Sequence, residues 1–338
     1  MPRLTPQGSP ALRAAVVQAE VAPDLDSGLA RTAALAREAA DAGATLVVFP
    51  ETWLPGYPAW LDVCRDVALW DYAPVKAVFA RMAAESVAVP GPACDALADA
   101  ARACRATLVV GVVERVDAGP GAGTLYNAIL TFGPGGALLN HHRKLVPTYT
   151  ERLVWGPGDA DGLRAVEALG AGGARGRLGA LVCWEHWMPL ARQALHEAGE
   201  DVHAALWPTA HEMHQVASRQ YAFEGRCYVL AAGSLMRAAA LPPELEPHPD
   251  RVRVAEDWVL GGGSAIVGPD GRYVVEPVYD APQILVADLD LARVREERMT
   301  LDVAGHYARP DALSLAVHRT GRRTVGDAPG AGAAPTSA

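Results

Sequence analysis

Nowhere does this 338-residue chain run apolar for long enough to cross a bilayer; its longest apolar runs are strand-sized, so no membrane partner is expected. The opening MPRLTPQGSP holds none of the apolar core that a secretory signal needs, and a cytoplasmic location is expected. A basic stripe is missing as well. The formal net charge is −9, with no run of Lys or Arg to offset it, which argues against a nucleic-acid partner. Cysteine is sparse: Cys64, Cys94, Cys104, Cys183 and Cys227 make an odd, widely spaced set, expected as reduced thiols rather than a disulfide framework. There is no glycine-rich phosphate loop, because Gly173, Gly176 and Gly179 have the wrong spacing and Gly261-Gly262-Gly263 opens a strand. His211-Glu212-Met213-His214 lacks the i, i+4 histidines of a metalloprotease helix.

Present instead is a steady alternation of strand-like and helix-like segments. LRAAVVQ (12–18) and TLVVFP (45–50) read as strands around a helix over 27–43, with Ser27 as N-cap and Gly43 as its stop. A helix over 93–106 leads to a strand over 107–116, then a hairpin over 124–144 turned at Gly133–Gly136. Strands over 177–183, 202–209 and 227–234 alternate with helices over 188–200 and 212–226, and a hairpin over 264–277 precedes a last strand over 283–290. Hairpins among the α-β units predict an α/β fold of layered sheets covered by helices. No internal boundary or repeat appears. Residues 1–311 read as one domain, 312–338 as a disordered Ala/Gly/Pro-rich tail, and 237–257, Pro-rich over 242–249, as an inserted surface loop.

Three strand ends carry chemistry. Glu51 follows the apolar TLVVFP directly, where partial desolvation raises a carboxyl towards the working range of a general base; a solvated loop glutamate is the alternative. Lys144 ends a hairpin strand ahead of an irregular stretch holding Glu151. Cys183 stands where GALV gives way to Trp184-Glu185-His186. Singly, a cysteine there is a small core residue. Jointly, the three supply a nucleophile, a base to make the thiolate, and a cation for charge developing on a substrate.

At these residues the chain resembles the nitrilase superfamily, in its nitrilase and cyanide-hydrating branch. The likeness lies in FPETWLPGYP (49–58), HRKLVPTYTERLVWGPGD (142–159), LVCWEHWMPLAR (181–192), RQYAFEGRCYVLAAGS (219–234), GGGSAIVGPDG (261–271) and LDVAGHYARPD (301–311). The resemblance implies a four-layer α-β-β-α sandwich. It makes Cys183 the nucleophile, Glu51 the general base, Lys144 the cationic stabiliser and Glu151 a second glutamate that positions Lys144 or water. It also implies homodimers, paired through the helices beginning at Met188 and within 212–226, that build larger oligomers or spirals.

The reaction so implied converts a small-molecule organic nitrile to its acid and ammonia through a thioimidate and a thioester, with no cofactor. Hydration of cyanide, or hydrolysis of an amide or carbamoyl group, is the alternative on the same scaffold. A non-catalytic binding protein is the alternative of another class. Trp184, Tyr57, Trp60, His186 and Trp187 are expected around the substrate, or else in the core. The Trp184 backbone N–H, just past the nucleophile, is a candidate second donor to developing charge. Cys183 with His186, and His211 with His214, imitate a zinc site, but nothing brings the pairs together in sequence, and no metal is expected.

Overall fold

The computed structural model describes residues 12–119, 121–169 and 175–319. Its elements, numbered in chain order, form two sheets. The first runs β14 (Gln283–Leu289), β1 (Leu12–Gln18), β2 (Leu46–Val48), β4 (Thr107–Arg115), β5 (Leu125–Phe132), β6 (Leu138–Arg143), with β3 (Val87–Ala88) added to β4. The second runs β11 (Leu235–Arg237), β12 (Trp258–Val267), β10 (Tyr228–Gly233), β9 (Val202–Trp207), β8 (Arg175–Val182), β7 (Val166–Leu169), with β13 (Tyr273–Tyr279) added to β12. The centres are parallel (β1-β2-β4 and β8-β9-β10), β3 adds to β4 in parallel, and the remaining pairs are antiparallel.

Side-chain alternation builds the layers. Along β1, Leu12, Ala14 and Val16 join the core shared with the second sheet, whereas Ala15 and Val17 face a core formed with α1 (Leu25–Asp41) and α4 (Pro92–Cys104). On the far side, α5 (Pro189–Glu197) and α6 (Glu212–Gly225) bury Ala191, Leu195, Ala217 and Tyr221 against β8, β9 and β10. The result is an α-β-β-α sandwich.

Differences from expectation have local causes. Helix α1 starts earlier than expected because Asp24 is its N-cap: Ser27, assigned that place from sequence, gives its N–H to Asp24 Oδ1 at 2.7 Å. Gly43, with φ +88°, does end it. Residues 59–92, to which the sequence assigns no element, carry α2 (Trp60–Val63), α3 (Ala73–Ala84) and β3, and α7 (Leu291–Arg298) follows the last strand. The 237–257 segment is more than a surface loop. Leu241 and Leu245 are buried with Trp60, Val78, Met82 and Trp155, so the prolines lead the chain across a small satellite core. Residues 312–319 form no helix or strand, yet Leu315 and Val317 pack on the main core. The rest of the expected tail (320–338), the N-terminal 1–11 and Gly173 lie outside the described residues.

Candidate active site

The three strand ends converge. Glu51 follows β2 and Lys144 follows β6 on the first sheet; Cys183 follows β8 on the second. Beside Glu51, at Cys183 itself and near Glu151 the backbone turns sharply through a non-glycine residue in the left-handed region: Thr52 (φ 43°), Cys183 (φ 51°) and Tyr149 (φ 40°). Such strain persists only where the surrounding packing over-determines it, and it concentrates at functional sites. Glycines admit the close approach. A Cβ at Gly111 of β4 would collide with the Pro50 carbonyl and the Glu51 backbone, and one at Gly158 with the carbonyls of Arg143 and Lys144.

Glu51, Lys144, Glu151 and Cys183 are all buried. Lys144 Nζ lies 3.1 Å from Glu51 Oε1 and donates at 2.7 Å to Glu151 Oε2. Asn127 of β5 donates to Glu51 Oε1 at 2.6 Å, Tyr57 donates its hydroxyl to Glu151 Oε1 at 3.0 Å, and the Thr148 N–H reaches Glu151 Oε2 at 2.7 Å. Among the described residues, Glu51 Oε2 has no hydrogen-bond partner. Carboxylate oxygens of Glu51 and Glu151 and the Cys183 sulfur all lie within 4.8 Å of one another.

Burial raises the Glu51 carboxyl to about 7, with Lys144 pulling it back and Glu151 adding to the rise. Burial alone would lower the Lys144 ammonium; Glu51, Cys183 and Glu151 together outweigh it and raise it. Burial and then the Glu51 charge push the Cys183 thiol well above its usual range, against Lys144 and the Trp184 N–H. The sulfur thus rests as a thiol beside a base poised near neutrality. These side chains could contact a metal through Glu51, Glu151 and Cys183, but the Lys144 ammonium already gives both carboxylates a cation at hydrogen-bonding distance. Among the described residues, His186, His211 and His214 are not part of this group, and the imitated zinc set is not brought together.

Cys183 and Glu151 open on a cavity of about 410 Å³ walled by Tyr57, Trp184, Thr209, His214, Val259 and Leu260. Of the side chains expected around a substrate, Tyr57 and Trp184 are there. Trp60 lies in the satellite core with α3. Trp187 stands behind Trp184, ring centroids 5.5 Å apart, and does not line the cavity. His186 is buried and turned away, its Nε2 against His203 at 3.0 Å. Two further residues escaped the sequence reading. Asn127 was visible as a polar residue inside an apolar strand, which needs a partner. Glu185 accepts from the N–H groups of Leu145 and Val182, each at 2.8 Å, and contacts His142 Nε2 at 2.9 Å, so it ties the strand end bearing Lys144 to the one bearing Cys183.

The carbon-nitrogen hydrolase family profile matches residues 13–299. An aliphatic nitrilase of Sinorhizobium fredii (strain HH103) is 39% identical over 318 residues, covering 93% of this chain and 97% of that protein. A bifunctional nitrilase/nitrile hydratase of Lupinus angustifolius is 36% identical over 313 residues, covering 91% and 86%. In fold, Nit3 of Saccharomyces cerevisiae, a member of branch 10 of the nitrilase superfamily, superposes with a TM-score of 0.64 at 18% identity, covering 88% of this chain and 97% of its own. The chain belongs to the carbon-nitrogen hydrolase family, the nitrilase superfamily, and is a hydrolase.

Proposed function

We propose that the protein is a nitrilase: Cys183 attacks an organic nitrile, and acid and ammonia are released. One observation carries this reading, the approach of a buried thiol to a carboxylate with one free oxygen, beside an ammonium held by two carboxylates. The names borne by the Sinorhizobium and lupin relatives support a nitrile as substrate.

In this mechanism Glu51 Oε2 takes the thiol proton as the sulfur bonds to the nitrile carbon. The nitrogen gains that proton, giving a thioimidate, while Lys144 and the Trp184 N–H face the charge that builds. Glu51, again a carboxylate, takes a proton from water as it adds to the carbon. Breaking the C–N bond of the tetrahedral species releases ammonia and leaves a thioester. A second water then breaks the C–S bond, returning the thiol and the acid. Glu151 holds Lys144 in place. If the C–S bond breaks first, the product is an amide, a second reading supported by the bifunctional name of the lupin relative.

Ammonia and amide release are to be measured on an aliphatic nitrile, an aromatic nitrile, an arylacetonitrile, cyanide and the matching amides, with wild type and Cys183→Ala side by side. Ammonia from organic nitriles, absent in the variant, is expected. Turnover of amides or cyanide alone moves the protein to the alternative reactions, and turnover by Cys183→Ala removes the nucleophile. The proposal includes a cytoplasmic homodimer paired through α5 and α6, supported by exposed Leu190, Met213 and Val216 on those helices. Among the described residues, no helix is long and apolar enough to cross a membrane.

A further inference from the structure

Behind the nucleophile, on the side away from the cavity, runs a buried chain of titratable side chains that the reaction above does not use. His186 Nδ1 lies 2.7 Å from the carbonyl oxygen of Cys183, His186 Nε2 lies 3.0 Å from His203 Nε2, and His203 Nδ1 lies 2.9 Å from Glu200 Oε2. Tyr221 donates its hydroxyl to Glu200 Oε1, and His196 Nδ1 stands 3.3 Å from the same oxygen. The seat is close-fitting: a Cβ at Gly179 of β8 would sit on the Glu200 carboxylate.

The contacts assign the proton of His186. A carbonyl only accepts, so His186 Nδ1 carries a proton. Burial, then the neighbouring His203, holds His186 well below its usual range, so the ring is neutral and Nε2 bears a lone pair. His203 Nε2 must therefore donate. Burial works against the Glu200 carboxylate, but His203 and His196 hold it down at about 2. The His203 ring lies between His186 and Glu200 and stacks on Tyr221 with ring centroids 3.8 Å apart.

We propose that His186, its tautomer set by the His203–Glu200 pair, is a positioning residue that aims the Trp184 N–H at the reacting atoms. The Cys183 carbonyl and the Trp184 N–H belong to one trans peptide plane and point in opposite directions. Pulling the carbonyl towards His186 turns the N–H to the sulfur side, where Trp184 makes a backbone hydrogen bond to Cys183. The same contact holds Cys183 in a left-handed conformation that a non-glycine residue otherwise avoids. This rests on the reading of Cys183 as nucleophile.

Two amide variants separate the contacts, since asparagine places its NH2 near Nδ1 and glutamine near Nε2. His186→Asn restores the donor to Cys183 and is expected to keep kcat within about threefold, whereas His186→Gln keeps only the His203 side and loses about tenfold or more in kcat at nearly unchanged KM. Equal kcat in the two overturns the proposal. Should His186→Gln not fold, wild-type 15N NMR of selectively labelled histidine decides. A neutral His186 protonated at Nδ1 supports the proposal, and His186 protonated only at Nε2 overturns it. Cys183→Ala in the same assay keeps the two readings apart, because its retained turnover would sink the nucleophile while leaving the His186 comparison intact.

Discussion

Glu51 is the residue whose chemistry depends most on its surroundings. In water its carboxyl would be ionised throughout the neutral range; burial holds the proton on until about pH 7. As the proposed base it would act only when deprotonated, so kcat/KM for the proposed nitrile substrate should rise with pH up to about 7 and level above it. Glu51→Gln should lose that limb along with about a thousandfold or more of the rate, measured across a pH series. A limb unchanged in the variant would assign it elsewhere. Stability runs the other way. The folded pKa lies above the ordinary 4.5, so the folded state holds the proton more tightly, and this group's contribution falls as pH rises from 4.5 through about 7. Lys144 offsets part of that cost. It is one of only two lysines in the chain, and its compact ammonium fits between two carboxylates where a guanidinium fork would demand more room.

Between elements, Glu185 sets the distance that matters. Its carboxylate lies under the junction of β6 and β8 and is held below its usual range: burial acts against it, but His142 and the Leu145 and Val182 N–H groups prevail. Glu185→Leu would strip partners from the buried Val182 N–H, the part-buried Leu145 N–H and the buried His142 imidazole. Loss of about 3–5 kcal/mol is expected, read by urea unfolding. Glu185→Gln, which keeps an acceptor, should lose less. A Leu variant as stable as wild type would show that the two strand ends are held by sheet packing alone. The sequence displayed Glu185 beside the nucleophile, but its partners come from a hairpin some forty residues away, and no local pattern reports such a pairing.

For the whole molecule, the site exists only where the two sheets meet. Glu51, Asn127 and Lys144 come from one sheet and Cys183 from the other, so disturbing the inter-sheet core would act on the proposed catalytic group as well as on stability. The outer face beyond Cys183 belongs to α5 and α6, whose exposed Leu190, Met213 and Val216 suit a partner of like character. Leu190→Asp with Val216→Asp should lower the mass observed by sedimentation to that of one chain; an unchanged assembly would place the contact on another face.

Much was settled by residue order alone. Continuous apolar runs broken by helical spacing mark the alternation of strands and helices, because the central strands are buried on both faces and each helix on one. Glu51, Lys144 and Cys183 stood out as reactive types placed where apolar strands end. Short-range devices were less legible: Asp24 rather than Ser27 caps α1, since either side chain can accept an amide proton and only the backbone path decides which does. Tertiary structure alone decided where the aromatics and histidines point. His186 and Trp184 are neighbours but one in the chain, yet one turns into a buried hydrogen-bonded network and the other walls the cavity. Both follow a left-handed turn at Cys183, and that turn is held through His186 by His203 of β9, Tyr221 of α6 and Glu200, which meet only once the second sheet is covered.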